Sequence, residues 1–228
     1  MKALHLALLL AVTVAAYGLS RIAAKRRPSP LTTPVFFSTP IILLALKLTG
    51  MRADDYRPTK DLIVLLLGPA TVALAVPLYR NRHTLVRNVL PALVGLAAGS
   101  VTTLVAALLL AKAFALSRVI CASISIKSVT APIAIELAPL VHGDSTLATA
   151  FVVLTGLIGA MLGPPLLDAA RIRAPLARGL ALGAISHGQG TAQAVAEGEL
   201  QGAAAGIAMG LAAVVTSLVA PVLVPLLA

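Results

Sequence analysis

Apolar residues run along this chain in long blocks separated by short basic or polar joints. Leu62–Tyr79 and Asn88–Ala111 contain no Asp, Glu, Lys or Arg. Uncharged, mostly apolar runs of roughly 18 residues or more are long enough to cross a bilayer as helices. The pattern predicts full spans at about 4–20, 33–49, 62–79, 88–113, 145–167 and 203–227. Two further apolar segments, at about 118–140 and 176–200, are interrupted by polar residues, Gly and Pro. The reading is an all-α, polytopic integral membrane protein with about six full spans and two broken or re-entrant helices. It is treated as a single transmembrane domain over 1–228.

Composition agrees. The chain is 59% hydrophobic and 11% charged, against about a quarter charged in soluble domains. Its net charge of +10 comes from basic residues at the ends of apolar runs, where they set topology. Nucleic acid is not an expected partner, because aromatics are 3% and Trp is absent, which removes the stacking platforms that bases need. The single Cys121 excludes an intrachain disulfide. The start, MKALHLALLLAVTVAAYGLS, resembles a secretory signal, yet Arg21, Lys25, Arg26 and Arg27 follow it in a stop-transfer pattern. A retained first helix is expected.

Basic loops prefer the cytoplasm. The joints at 21–27 and 80–87, the latter with Arg80, Arg82 and Arg87, carry no acid. The joint between them mixes Lys47, Arg52, Arg57 and Lys60 with Asp54, Asp55 and Asp61. An outside N-terminus satisfies all three. The joint at 168–178, with Arg171, Arg173 and Arg178 against Asp168, then falls inside only if 118–140 re-enters rather than crosses.

The interrupted segments resemble each other. Ile124–Glu136, ISIKSVTAPIAIE, aligns without a gap on Ile185–Glu197, ISHGQGTAQAVAE. The matches are Ile124/Ile185, Ser125/Ser186, Thr130/Thr191, Ala131/Ala192 and Glu136/Glu197. With the charge-derived topology this is an inverted-repeat-like pair, and paired interruptions point to a transporter's binding site. A helix broken at mid-depth presents N–H groups and a dipole end that favour an anion. Candidate substrate-binding residues are Lys127, Ser128, Thr130, Ser186, His187, Gly188, Gly190 and Thr191, with the hydroxyls of Ser128, Thr130 and Thr191 capping half-helices or touching ligand. Lys127 is an ionisable group at membrane depth, a functional position by default, although snorkelling to an interface is the bland alternative. His187 is read either as a cap or partner of Glu197, or as a donor to a carboxylate or a proton carrier. Glu136, Glu197 and Glu199 are candidate coupling or structural carboxylates. A bulky residue at Gly190 is expected to block the site and leave the fold intact. Four-residue spacings at Gly95/Gly99, Gly159/Gly163 and Gly202/Gly206/Gly210 read as close helix packing, with homo-oligomerisation as the sharper alternative.

With LGPATVALAVPLY (67–79), KSVTAPIAIE (127–136), FVVLTGLIGAMLG (151–163) and LALGAISHGQGTAQA (180–194), the sequence resembles the LrgB/CidB family over nearly its whole length. The resemblance implies an antiholin-like protein that regulates murein hydrolase activity and autolysis beside a small LrgA/CidA-type partner in the bacterial cytoplasmic (inner) membrane. The family is also similar to the C-terminal half of the plastidial glycolate/glycerate translocator, and some bacterial members are linked to pyruvate or related carboxylates. The chain departs from the family pattern at Ile126, where many members have Pro, and at Gln193, where many have Arg or Lys. The family's Gly-Glu pair falls on Gly198-Glu199, whereas the internal repeat favours Glu197.

Two functions compete: a carrier of small monocarboxylates of the glycolate/pyruvate class working by alternating access, and an antiholin-like regulator. An intramembrane hydrolase built on Ser186 and His187 ranks far behind, because adjacent helical residues point in different directions and no HExxH motif is present. The chain is read as a non-enzyme with no catalytic residues, no cofactor and no metal ligands; its partners are the bilayer, the carboxylate and the small membrane protein. The topology is testable by single-cysteine labelling in a Cys121→Ser background. Positions in 168–178 should label from the cytoplasmic side and positions in 141–145 from outside; the reverse pattern removes the inverted pair.

Overall fold

A computed structural model describes residues 2–26, 29–73 and 75–227. Arg27 of the first basic joint and Leu74 of the 62–79 run lie outside the described residues, as does Ala228. Among the described residues there is no strand. The helices are α1 (Lys2–Arg26), α2 (Pro34–Leu48), α3 (Arg57–Leu65), α4 (Leu67–Ala73), α5 (Ala75–Arg80), α6 (Arg82–Arg87), α7 (Val89–Ala113), α8 (Arg118–Ser125), α9 (Ala131–Leu140), α10 (Ser145–Ala169), α11 (Pro175–Glu197) and α12 (Glu199–Leu227).

Four of these are long and apolar enough to cross a membrane: His5–Arg26 within α1, and α7, α10 and α12. Helix α2 occupies its expected place but has 15 residues, about 22 Å at 1.5 Å per residue against a core of about 30 Å. The run at 62–79 does not form one helix. It is interrupted at Leu66, between α3 and α4, with a tight Leu66 N–H to Ile63 carbonyl bond at that joint (3.1 Å). Gly68 and Pro69 follow directly after this joint, and proline removes a backbone donor and collides with the preceding turn.

The chain forms two compact units, Met1–Ala73 and Leu74–Ala228. In the first, α1 packs against α2 and α3, burying Leu9, Ala16 and Leu46, and Thr13 Oγ1 meets Tyr56 Oη at 2.9 Å. In the second, one apolar core joins Leu104 and Leu108 of α7, Cys121 and Ala122 of α8, Ala134 and Leu137 of α9, Ala148 and Val152 of α10, and Ala220 and Val224 of α12. Large apolar side chains such as Leu110, Phe114, Leu166 and Leu218 remain on the outside, as suits helices solvated by lipid.

Small residues set the close approaches in the second unit. A Cβ on Gly163 would meet Leu182, one on Gly159 would meet Ser186, and one on Gly156 would meet His187. The order of these pairs runs α10 antiparallel to the first half of α11. Gly179 and Gly183 press against the backbone of Gln201 and Ala205 in α12, and Gly202 against Val195. The Gly159/Gly163 spacing is thus a packing face, as is Gly202, while Gly95, Gly99 and Gly210 face open space.

Four helices end the same way. Gly50, Ala115, His142 and Arg171 take positive φ of 67°, 51°, 58° and 58°. The following residue donates back to the helix: Met51 to Leu46, Leu116 to Ala111, Gly143 to Ala138 and Ile172 to Leu167, at 2.8–3.0 Å. This left-handed cap satisfies the last carbonyls. A non-glycine residue there costs about 1–2 kcal/mol, and the entropy that glycine adds to the unfolded chain offsets about 0.4–1 kcal/mol of any gain. Ala115→Gly should therefore stabilise the protein by up to about 1 kcal/mol, read as a rise of a few degrees in its melting temperature in detergent; a fall would contradict the cap.

Candidate functional site

The first interruption is a true break. Helix α8 ends at Ser125 and α9 starts at Ala131, with turn bonds from Lys127 N–H to the Ile124 carbonyl (3.2 Å) and from Val129 N–H to the Ile126 carbonyl (3.4 Å). Ile126 and Val129 are buried in the core (0% and 1% exposed), and this anchoring leaves Lys127, Ser128 and Thr130 half-buried along the turn. Lys127 Nζ lies 3.5 Å from Ser128 Oγ and has no ion-pair partner among the described residues. Thr130 occupies the N-cap position of α9 with extended backbone (φ −76°, ψ 154°), but its hydroxyl makes no capping bond. The capping role expected for it is thus not taken up, which leaves the first turn of α9 without a side-chain acceptor.

The second interruption falls at one residue. Within α11, His187 has φ 40° and ψ −127°, a region that costs a non-glycine residue about 1–3 kcal/mol. The chain turns back there. Arg178 and Glu197, about 28 Å apart on a straight helix, are joined by bonds of 2.7 and 3.1 Å. Residues 175–186 and 188–197 thus form two antiparallel arms, with Leu182 and Ala194 in one small apolar cluster beside Ala205. The internal repeat is faithful at its serines: Ser125 and Ser186 each end the first half-helix. It is not faithful at its threonines. Thr130 opens α9, whereas Thr191 lies four residues past the turn and donates to the His187 carbonyl at 2.9 Å. The first break opens over 126–130 and the second at His187 alone.

Both breaks abut α10. Val152 contributes its side chain to the core that holds Ile126 and Val129, and its carbonyl oxygen lies 3.0 Å from His187 Nε2. Ser186 is buried against Gly159, and Gly188 is exposed with open space around it. Gln189, which the sequence reading passed over, places a buried Oε1 with no hydrogen-bond partner next to His187 and Gly156. Nothing in its neighbourhood of small residues marks it out until the chain folds back.

Three expectations are corrected. His187 does not pair with Glu197: its ring is turned to Val152, and Glu197 is held by Arg178. Arg178 is not a free topogenic charge. Its side chain is 10% exposed and bonds Asp168, Glu197 and the Ile172 carbonyl, so Arg171 and Arg173 are the cations of that joint without ion pairs among the described residues. Gly190 is not an open position, because a Cβ there would run into the Leu182 carbonyl and Ser186. Of the three carboxylates, Glu197 is in the ion pair, Glu199 lies 3.8 Å from Arg80 with both side chains half exposed or more, and Glu136 is exposed on α9 without an ion pair among the described residues.

The glycine geometry separates two substitutions that look alike in sequence. Gly190→Ala should sharply lower the yield of folded protein, since backbone must move, whereas Gly188→Ala should fold as the unmutated chain does. Size-exclusion profiles in detergent measure both; equal profiles would show that the turn-back at His187 is looser than described.

No solved structure matches the chain. Among curated proteins it is similar to the uncharacterized protein YxaC of Bacillus subtilis (strain 168), 37% identical over 187 residues, covering 82% of this chain and 81% of the relative. It is similar to the holin-like protein CidB of Staphylococcus aureus (strain N315), 32% identical with 82% of each chain covered. The uncharacterized protein YwbG of Bacillus subtilis (strain 168) is 31% identical over 183 residues, 80% of this chain and 81% of the relative. The profile of the LrgB-like family matches residues 13–226, and this helical membrane chain belongs to that family.

Proposed function

We propose that this protein carries small monocarboxylates of the glycolate/pyruvate class across the bacterial cytoplasmic membrane by alternating access. The observation that carries the reading is Lys127: a half-buried cation without an ion pair among the described residues, in the open turn before a helix start whose cap hydroxyl is idle. A helix N-terminus and an ammonium group together suit an anion small enough to enter a break. Thr130 and Ser128 supply hydroxyls on the same turn. Ser186, His187 and Gly188 border the second break, with Gln189 beside them. Arg178 does not compete for the substrate, because its charge is already shared by two carboxylates. In this reading both interrupted segments re-enter the bilayer and complete a pair beside the full spans, and α10 is the wall common to both. Thr191 and Gly190 then shape the second break without touching the anion. Glu136 is the one candidate coupling carboxylate without an ion pair among the described residues.

The second reading is antiholin-like control of murein hydrolase activity with an LrgA/CidA-type partner. It draws on the holin-like name of the staphylococcal relatives, and on Gly95 and Gly99 of α7, whose open faces suit helix association, whether with that partner or with a second copy.

Uptake of labelled glycolate or pyruvate into proteoliposomes separates the readings. A charge-assisted hydrogen bond contributes about 1.5–3 kcal/mol, so Lys127→Met should weaken apparent affinity about ten- to a hundred-fold, and Thr130→Val less. Uptake by the Lys127→Met protein equal to that of the unmutated chain, at matched expression, would leave the regulatory reading in place.

A further inference from the structure

Among the described residues of the second unit, Arg178 makes the densest set of charge-assisted bonds. Its Nε donates to Glu197 Oε2 at 2.7 Å and its Nη2 to Glu197 Oε1 at 3.1 Å, while Nη1 donates to Asp168 Oδ1 at 2.6 Å and to the Ile172 carbonyl at 3.0 Å. The guanidinium fork therefore grips Glu197 with two parallel bonds, a geometry that arginine forms and lysine does not. Arg178 and Glu197 are 10% and 15% exposed, and Asp168 is 68% exposed. The pair closes the open end of the α11 hairpin, opposite the turn at His187. At that turn the backbone is held in a rare conformation, which persists only when the surroundings over-determine it.

We propose that Arg178 is the positioning residue of the second break: by clasping Glu197 it keeps the two arms of α11 together and so holds His187 and Gln189 against α10. The proposal rests on the carrier reading only for its uptake measurement. A buried ion pair is a poor source of net stability against apolar side chains of similar volume, but the loss of one partner leaves the other charge buried and unpaired. A clasp therefore makes a particular prediction: the single substitution should do harm that the double apolar substitution undoes.

The test uses the full chain in proteoliposomes, with nitroxide labels on Ile185→Cys and Ala196→Cys, both at exposed positions, in a Cys121→Ser background. Arg178→Met should lengthen and broaden the distance between the labels and lower glycolate uptake by at least about tenfold, the factor given by one 1.4 kcal/mol step. Arg178→Met/Glu197→Met should return both to the starting values. If the Arg178→Met protein does not insert, Glu197→Gln should give the same lengthening. An unchanged distance in the single variants overturns the proposal. So does a double variant with the short distance and no uptake, since Arg178 would then act on the anion itself. If the unmutated chain takes up no glycolate while the distances follow the stated pattern, the clasp stands and the carrier reading falls.

Discussion

A backbone N–H or carbonyl without a partner in the hydrocarbon core costs several kcal/mol, and this penalty governs the architecture of the second unit. Continuous helices such as α7, α10 and α12 meet it internally. The two interrupted segments cannot, so each break is surrounded by groups that answer for it. His187 turns its ring to the Val152 carbonyl, and Thr191 donates to the carbonyl of the very residue that breaks the helix. At the first break Lys127 N–H and Val129 N–H bond the Ile124 and Ile126 carbonyls, and Ser125 Oγ donates to the Ala122 carbonyl at 2.6 Å. Polar side chains that look out of place in an apolar chain are therefore mostly the cost of interrupting helices.

What remains after that accounting is informative. Lys127, the Thr130 hydroxyl and Gln189 Oε1 are not used by the fold's own repairs. They lie on the two segments that meet α10. Small residues make this arrangement possible: Gly156, Gly159 and Gly163 form the strip of α10 on which His187, Ser186 and Leu182 rest. Van der Waals packing over such strips replaces the hydrophobic driving force that lipid removes. The geometry around the second break thus depends on the glycines of α10.

Charge follows the same logic. Arg178 looks from its position like one of three basic residues in a joint, yet it is folded inward and neutralised by Asp168 at the end of α10 and Glu197 at the end of α11. Helical periodicity brings residues three or four apart together, and Arg178 and Glu197 are far beyond that spacing. No local rule could couple them. Similarly, 62–79 reads as a span because hydropathy counts apolar residues, yet the helix is interrupted at Leu66, just before Gly68 and Pro69.

The residues alone determined the all-helical membrane class, the places of α1, α7, α10 and α12, and the two interruptions, because length, apolarity and the Gly/Pro/Ser/Thr content of a segment act locally. They also marked Lys127 and His187 as residues at breaks, since a charge or an imidazole in an apolar run is conspicuous without any contact being known. Tertiary structure alone decided that α11 turns back at His187, that Glu197 belongs to Arg178 rather than to His187, that Gly190 is walled in by the Leu182 carbonyl, and that Gln189 faces the break. Each of these rests on contacts between residues many positions apart or on one rare backbone conformation, and neither leaves a periodic trace in the order of amino acids.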